Sequence, residues 1–442
     1  MGRFLSRRAV RAQEQLFFWA VAATVALAVV LPLAVLTGQL AAGDPAQRHS
    51  VLATLATPSL WLLLARSVGL AIAVTALSLT VGVPIGFLLS RTDVPGRRSA
   101  FLLHAFPMFL PPFAMALGWF HILGRNGAFG SESTSRFFFG ESGLLLVLGA
   151  TFTPIASTMV ALGVRGIDPA LEEAARLVAP PGAWKWPLAT RIVLPLARPA
   201  IALAALVVFT LSFSELGVPM FLRVKAYPAV VFSRLGGIDF QPGEAFALVL
   251  PLLAISALVL AGERRWAARR SFSVLGLRSG ESPLWELGRA RAPATTLCWL
   301  AVAVSIAPIA SLALRAARGQ GFSSLGDWAG AGLVNSLSVS GLAAIAIAIL
   351  GVVLGHALAR GLKGAALVDA VTVLAFVTPA AVLGVGLIAT WNRPATDWVY
   401  RGRAILVIAL VARYTAIGAR TIAVAMAQGS PHLEEAAAAF GA

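Results

Sequence analysis

The sequence predicts an all-α, polytopic integral membrane protein built from two tandem repeats that point the same way through the bilayer. Three observations predict it. The 442 residues are 58% hydrophobic and only 12% charged, with a mean hydropathy of +0.84, whereas soluble domains are about 45–50% apolar and about 25% charged. The apolar residues gather into about ten runs, each within the range of lengths expected of a membrane-spanning helix. One ordered series of motifs occurs twice.

The first run, Leu16–Thr37, follows Arg3, Arg7, Arg8 and Arg11. Its length marks it as a retained first span with a cytoplasmic N-terminus, not a cleaved signal peptide. The runs that follow are Leu60–Leu89, Ala100–Leu123, Gly143–Val164, Ile201–Leu222 and Ala245–Ala261, then Ala294–Leu314, Leu333–Leu358, Ala365–Thr390 and Ala404–Met426. Alternating sides from an inside N-terminus puts roughly 21 lysines and arginines in cytoplasmic segments and about 11 outside, as the positive-inside rule requires. The densest basic cluster, Arg264, Arg265, Arg269 and Arg270, falls between the halves.

The repeat is read from paired motifs. Gly82 to Gly86 through Arg91 parallels Gly351 to Gly355 through Arg360; Pro111 with Gly118 parallels Pro379 with Gly386; Asp168–Ala175 parallels Ser430–Ala437. Preserved order and spacing indicate duplication, with parallel repeats related by an axis along the membrane normal. The expected division is residues 1–62 for the tail, first span and outer loop, 63–262 for the first repeat, 263–332 for a linker with its own span, and 333–442 for the second repeat. By symmetry the second copy stops inside its loop at Gly441-Ala442, so about 12 spans would complete the pattern.

Composition also excludes functions. A net charge of +16 suggests nucleic acid, but the arginines form short clusters between apolar runs, without a basic stripe interleaved with aromatics. Cys298 is the single cysteine, and His49, His104, His121, His356 and His432 are scattered without ligand-like spacing, so neither disulfide nor metal site is expected. No Gly-x4-Gly-Lys-Ser/Thr phosphate loop is present.

The repeated box carries the most information. Leu171-Glu172-Glu173-Ala174-Ala175 and Leu433-Glu434-Glu435-Ala436-Ala437 each follow a proline, Pro169 or Pro431, and an N-cap residue, Asp168 or Ser430. Proline fits the first helical position, and the capping oxygen satisfies an orphan amide. Leu171, Ala174, Ala175 and Val178 line one helix face, as do Leu433, Ala436, Ala437 and Phe440. The alanines keep that face flat for close approach, and the glutamates sit where the helix dipole favours negative charge. Both boxes fall on the cytoplasmic side. Two matched docking helices imply two copies of one partner.

At these residues the chain resembles the inner-membrane permeases of bacterial ATP-binding-cassette (ABC) importers, of type I transmembrane architecture. In that family the loop reads Glu-Ala-Ala, three residues, then Gly, with Leu-Pro downstream. Glu435-Ala436-Ala437 with Gly441 fits. The first copy has Ala179 at the glycine position and Gly182 three residues later, then Leu194-Pro195 and Pro199. The fused pair of repeats, with Pro111-Pro112-Phe113 through Trp119 and Glu215-Leu216-Gly217-Val218-Pro219 ahead of Tyr227-Pro228, is similar to the ferric-iron and thiamine permeases.

The resemblance implies ATPase-coupling roles for Glu172, Glu173, Ala174, Ala175, Gly182, Glu434, Glu435, Ala436, Ala437 and Gly441. It implies two copies of a cytoplasmic ABC ATPase that bind the ATP and magnesium, a periplasmic solute-binding protein, and a bacterial inner-membrane location. The chain itself is expected to hold no cofactor and to be no enzyme. Ferric iron is the first expectation for the solute, with thiamine, polyamine and phosphonate import as alternatives, and an ATP-independent secondary transporter as the rival class. Glu215, Pro111, Pro112 and Pro379 are candidate pathway residues, because helix breaks at membrane depth are tolerated where backbone lines a cavity or is covered by protein. Glu215 and Asp369 are expected within spans, with Arg66, Arg413 and Arg420 as possible partners. Trp119, Trp391 and Trp398 are read as interfacial anchors.

Overall fold

The computed structural model describes residues 2–41, 45–167, 170, 173–174, 185–235, 242–268, 284–319 and 325–428. Among them every extended element is helical, apart from an isolated parallel bridge between Thr92 and Trp285. The helices are α1 (Gly2–Val25), α2 (Leu31–Ala41), α3 (Pro45–Leu55), α4 (Pro58–Arg91), α5 (Arg97–Ala105), α6 (Pro112–Leu123), α7 (Glu132–Phe138) and α8 (Glu141–Arg165). After the box come α9 (Arg198–Ser214), α10 (Gly217–Phe221), α11 (Tyr227–Leu235), α12 (Pro242–Ala268), α13 (Arg291–Arg318), α14 (Leu325–Ala359), α15 (Ala365–Val377), α16 (Ala380–Trp391) and α17 (Ala404–Gln428). The protein is an all-α, polytopic membrane protein. Among the described residues six helices are long and apolar enough to cross a bilayer, or up to nine if each bent pair is one span.

The bent pairs correct the outline of three runs. Ala100–Leu123 and Ala365–Thr390 were expected as single spans; each is instead two half-helices meeting at 108°. The cause is local. Pro111 and Pro379 are N-caps in extended conformation, with ψ of 137° and 140°, and the residue before a proline is pushed out of the α region: Leu110 has ψ 145° and Thr378 ψ 129°. The third run, Ile201–Leu222, ends as a helix at Ser214, and the stretch Ala189–Leu196 before α9 is bent from it by 59°.

The chain divides into two compact units that interleave along the sequence: Met1–Thr57 with Val231–Arg265 and Leu325–Ala442, and Pro58–Val230 with Trp266–Ser324. In the first, Phe18, Val25 and Val29 pack with Leu350 and Leu354 of α14, Val368 and Ala375 of α15, and Ala412 and Ala419 of α17. In the second, Ala294, Cys298 and Val302 of α13 pack against Ile85, Leu88 and Leu89 of α4. The helix that leads each half in sequence thus packs among helices of the other half.

Matching details recur in the two units. Gly96 and Gly364, the N-caps of α5 and α15, both adopt positive φ (69° and 88°). The ring of Trp299 lies 3.0 Å from where a Gly96 Cβ would stand, and that of Trp19 lies 2.7 Å from the equivalent point at Gly364. Pro95 and Lys363, which precede these glycines, each offer a carbonyl to a side chain of the leading helix: Trp299 Nε1 donates to Pro95 (3.3 Å) and Gln15 Nε2 to Lys363 (3.0 Å). Gly118 of α6 lies against the Pro308 carbonyl of α13, and Gly386 of α16 against the Pro32 carbonyl of α2.

Between lipid-embedded helices no hydrophobic drive favours contact, so small residues and close packing supply it. The α4–α8 pair shows this at Gly82 and Gly86, which face Ala156 and Ser157. A Cβ on Gly86 would meet the Ser157 carbonyl oxygen. Gly86→Leu is therefore expected to destabilise this unit by about 1–3 kcal/mol through overpacking. The check is the thermal unfolding midpoint in detergent, which should fall; an unchanged midpoint would contradict the close approach.

Trp119 is a further correction. It was read as an interfacial anchor, but it is 8% exposed and belongs to the apolar cluster of Phe138, Leu144 and Val147. Trp398 is 76% exposed, in keeping with an anchor.

Candidate functional site

The first box emerges from the end of α8. Gly86 lets α4 and α8 run together, and their shared ends carry Arg91, which is 1% exposed. Its Nη2 donates to the carbonyls of Val164 (2.6 Å) and Ile167 (3.3 Å). Those carbonyls lie at and just past the C-terminus of α8, where positive charge suits the dipole. The box follows directly. Within it Glu173 and Ala174 lie in helical backbone and are exposed. Glu172, Ala175 and Gly182, and in the second box Glu434, Glu435, Ala436, Ala437 and Gly441, lie outside the described residues. The chain returns through Leu188, Ala189, Val193 and Ala197, which pack on Val160, Val164 and Ile167. Both legs of the loop are rooted in one apolar cluster.

The breaks at Pro111, Pro112 and Pro379 need their backbone groups satisfied, because an unpaired peptide group in hydrocarbon costs several kcal/mol. The Leu110 N–H donates to the Pro107 carbonyl (3.0 Å). The Thr378 hydroxyl donates to Leu374 (2.7 Å), and Arg413 Nη1 from α17 donates to the Thr378 carbonyl (2.9 Å). Arg413 thus holds the break of α15–α16. Ser311 on α13 donates to the Gly118 carbonyl of α6 (2.8 Å), tying the other half-helix to its neighbour.

The charged residues expected within spans are engaged. Glu215 lies not inside a helix but at the joint between α9 and α10. Its Oε1 accepts from the N–H groups of Gly217 (3.0 Å) and Val218 (3.2 Å), capping α10. Asp369 accepts two bonds from Arg420, at 3.0 and 2.9 Å, and a longer one from Arg264 at 3.4 Å. Arg264 also donates to the Ala366 carbonyl (2.7 Å). Arg66 pairs with Glu141 across α4 and α8. Of the partners considered for Asp369, Arg420 is the one it meets. Tyr227 is buried, its N–H donating to Ser67 Oγ (2.8 Å), and burial pushes its phenol up, so it stays neutral at physiological pH. Among the described residues no group of three or more His, Cys, Asp or Glu is placed to hold a metal ion.

Two residues escaped sequence reasoning. Arg91 appeared only as the end of a repeated motif, although an arginine closing an apolar run in both halves (Arg91, Arg360) was a usable signal. Trp285, which joins the cluster at the root of the first box, carries no local signal at all.

No protein-family model matches the chain. It is 24% identical over 390 residues to a ferric transport system permease protein of Actinobacillus pleuropneumoniae, covering 80% of this chain and 55% of that protein. It is 25% identical over 390 residues to a putative ferric transport system permease protein of Haemophilus influenzae, covering 80% of this chain and 60% of that one. It is 25% identical over 205 residues to the molybdenum transport system permease protein of Escherichia coli strain K12, covering 44% of this chain and 87% of that protein. The chain thus spans under two thirds of the length of the ferric relatives it matches. These relatives bear out the resemblance, first read from the boxes, to inner-membrane permeases of ABC importers.

Proposed function

We propose that this chain is the membrane-spanning permease of an ATP-driven importer. Two copies of a cytoplasmic ABC ATPase would hold it at the two boxes, each box acting as a coupling helix, and a periplasmic protein would deliver the solute. The observation that carries this reading is the exposed helical start of the first box at Glu173 and Ala174, rooted on α4 and α8, in a chain similar over 80% of its length to ferric transport permeases. ATP and magnesium belong to the ATPase, and the N-terminus lies in the cytoplasm. The matched glycines, prolines and 108° bends of the two units support the tandem repeat. The breaks at Pro111, Pro112 and Pro379, with Glu215 at its joint, are the proposed lining of the pathway.

Ferric iron is the proposed solute, on the strength of the relatives covering most of the chain. Molybdate and sulfate come next, because shorter stretches match molybdenum and sulfate permeases; thiamine, polyamine and phosphonate remain open on the same scaffold. The test is reconstitution of the chain with the ATPase and binding protein encoded beside it. ATP-dependent uptake of ferric ion into proteoliposomes is expected. Uptake driven by an ion gradient with no ATPase present would establish the rival secondary transporter.

A further inference from the structure

The segment between the halves returns to described structure at Leu284, and its first residues dock on the root of the first box. Trp285 is 3% exposed, its ring edge-on to Phe87 of α4 at 5.3 Å, in the cluster with Val164, Ile167, Leu188 and Val193. Its backbone joins the end of α4. The Trp285 N–H donates to the Arg91 carbonyl (2.8 Å), and the Asp93 N–H donates to the Trp285 carbonyl (3.2 Å). The Leu287 N–H donates to Asp93 Oδ1 (2.9 Å). Arg91 meanwhile donates to Val164 and Ile167. One buried arginine therefore has its side chain on the leg entering the box and its backbone on the linker, while Trp285 shares one apolar cluster with residues of both legs.

We propose that Arg91 and Trp285 are positioning residues that clamp the root of the first coupling loop to α4, making the inter-half linker part of the transmission. The proposal rests on the permease reading. A box on a hinged root would swing when its ATPase moved it, and α4 would stay behind. With the root clamped, displacement of the box carries the end of α4. Packing and hydrogen bonds with one discrete arrangement are what pass a displacement on.

The test uses Trp285→Ala and Asp93→Ala, with Trp285→Phe as the conservative control. In the purified full-length chain, amide exchange of residues 164–167 and 188–193 should accelerate in both alanine variants and return towards wild type in Trp285→Phe. Unchanged exchange in both alanine variants would overturn the clamp whatever the protein transports. In proteoliposomes with the ATPase and binding protein, ferric ion, molybdate and sulfate are presented in turn. Solute moved per ATP hydrolysed should fall about ten-fold in Trp285→Ala, within the range of ordinary coupling energies, while hydrolysis and ATPase binding persist. Equal falls in hydrolysis and uptake would leave only a structural role and overturn the proposal. Absence of ATP-dependent uptake in the wild type would count against the permease reading alone, and the exchange measurement would still judge the clamp. Asp93→Ala, which leaves the apolar cluster intact, keeps the test decisive if Trp285→Ala fails to fold.

Discussion

Asp369→Asn is expected to destabilise the unit containing α15 and α17 by about 1.5–3 kcal/mol, because it removes the charge from a partly buried, charge-assisted pair. The Asp369 side chain is only 12% exposed, and it faces Arg420 in two-bond geometry with Arg264 at longer range. Losing the carboxylate charge takes away the counter-charge that Arg420 meets in two-bond geometry. The double variant Asp369→Asn/Arg420→Gln should therefore be less damaged than Asp369→Asn alone. The measurement is a double-mutant cycle on unfolding in detergent, in which contacting residues typically couple by about 0.5–3 kcal/mol. Additive effects would show that the pair contributes nothing as a pair. Uptake should follow stability here, since α17 also carries Arg413, which holds the Thr378–Pro379 break.

Ala174→Trp should reduce uptake ten-fold or more, equivalent to about 1.4 kcal/mol or more of lost docking, with no loss of stability. Ala174 is exposed on helical backbone, so an indole there meets no neighbour within the described fold. Under the proposed docking it would meet the ATPase instead. On the proposed docking, exposed ion pairs from Glu173 would contribute only about 0–1 kcal/mol each, leaving close approach over the alanine face to supply much of the grip. Ala174→Ser, which adds one oxygen, should be nearly silent. ATP hydrolysis that continues while uptake falls is the expected signature. Full uptake in Ala174→Trp would argue against docking at this face.

Much of this architecture was legible before any coordinates. Run length and low charge located the apolar helices, because in hydrocarbon a chain must satisfy its backbone internally and helices do so. Against ten expected spans, six described helices are long enough to cross, or up to nine with the bent pairs, and Ala247–Gly262 is shorter. Proline chemistry pointed to breaks at Pro111, Pro112 and Pro379, but not to the angle, which depends on what the second half-helix packs against: α13 for α6, and α2 for α16. The same limit applies to Trp119, whose burial against Phe138, Leu144 and Val147 depends on tertiary packing that no local pattern encodes. Glu215 looked like a charge within a span because nothing local marks where α9 ends; its capping role appears only once α10 exists. At the proposed coupling site, the boxes were plain as motifs, while their anchoring was not. Arg91 and Trp285 meet across 194 positions of sequence, and no periodicity encodes that pairing.

The central claim is that both boxes face the cytoplasm and are held there by an ATPase. It is tested most directly by thiol accessibility in a Cys298→Ala background, with Glu173→Cys and Glu435→Cys introduced one at a time. A membrane-impermeant maleimide should label each position in inside-out vesicles and neither in sealed right-side-out vesicles, and bound ATPase should block the labelling. Labelling of either position from the outer face would contradict the account.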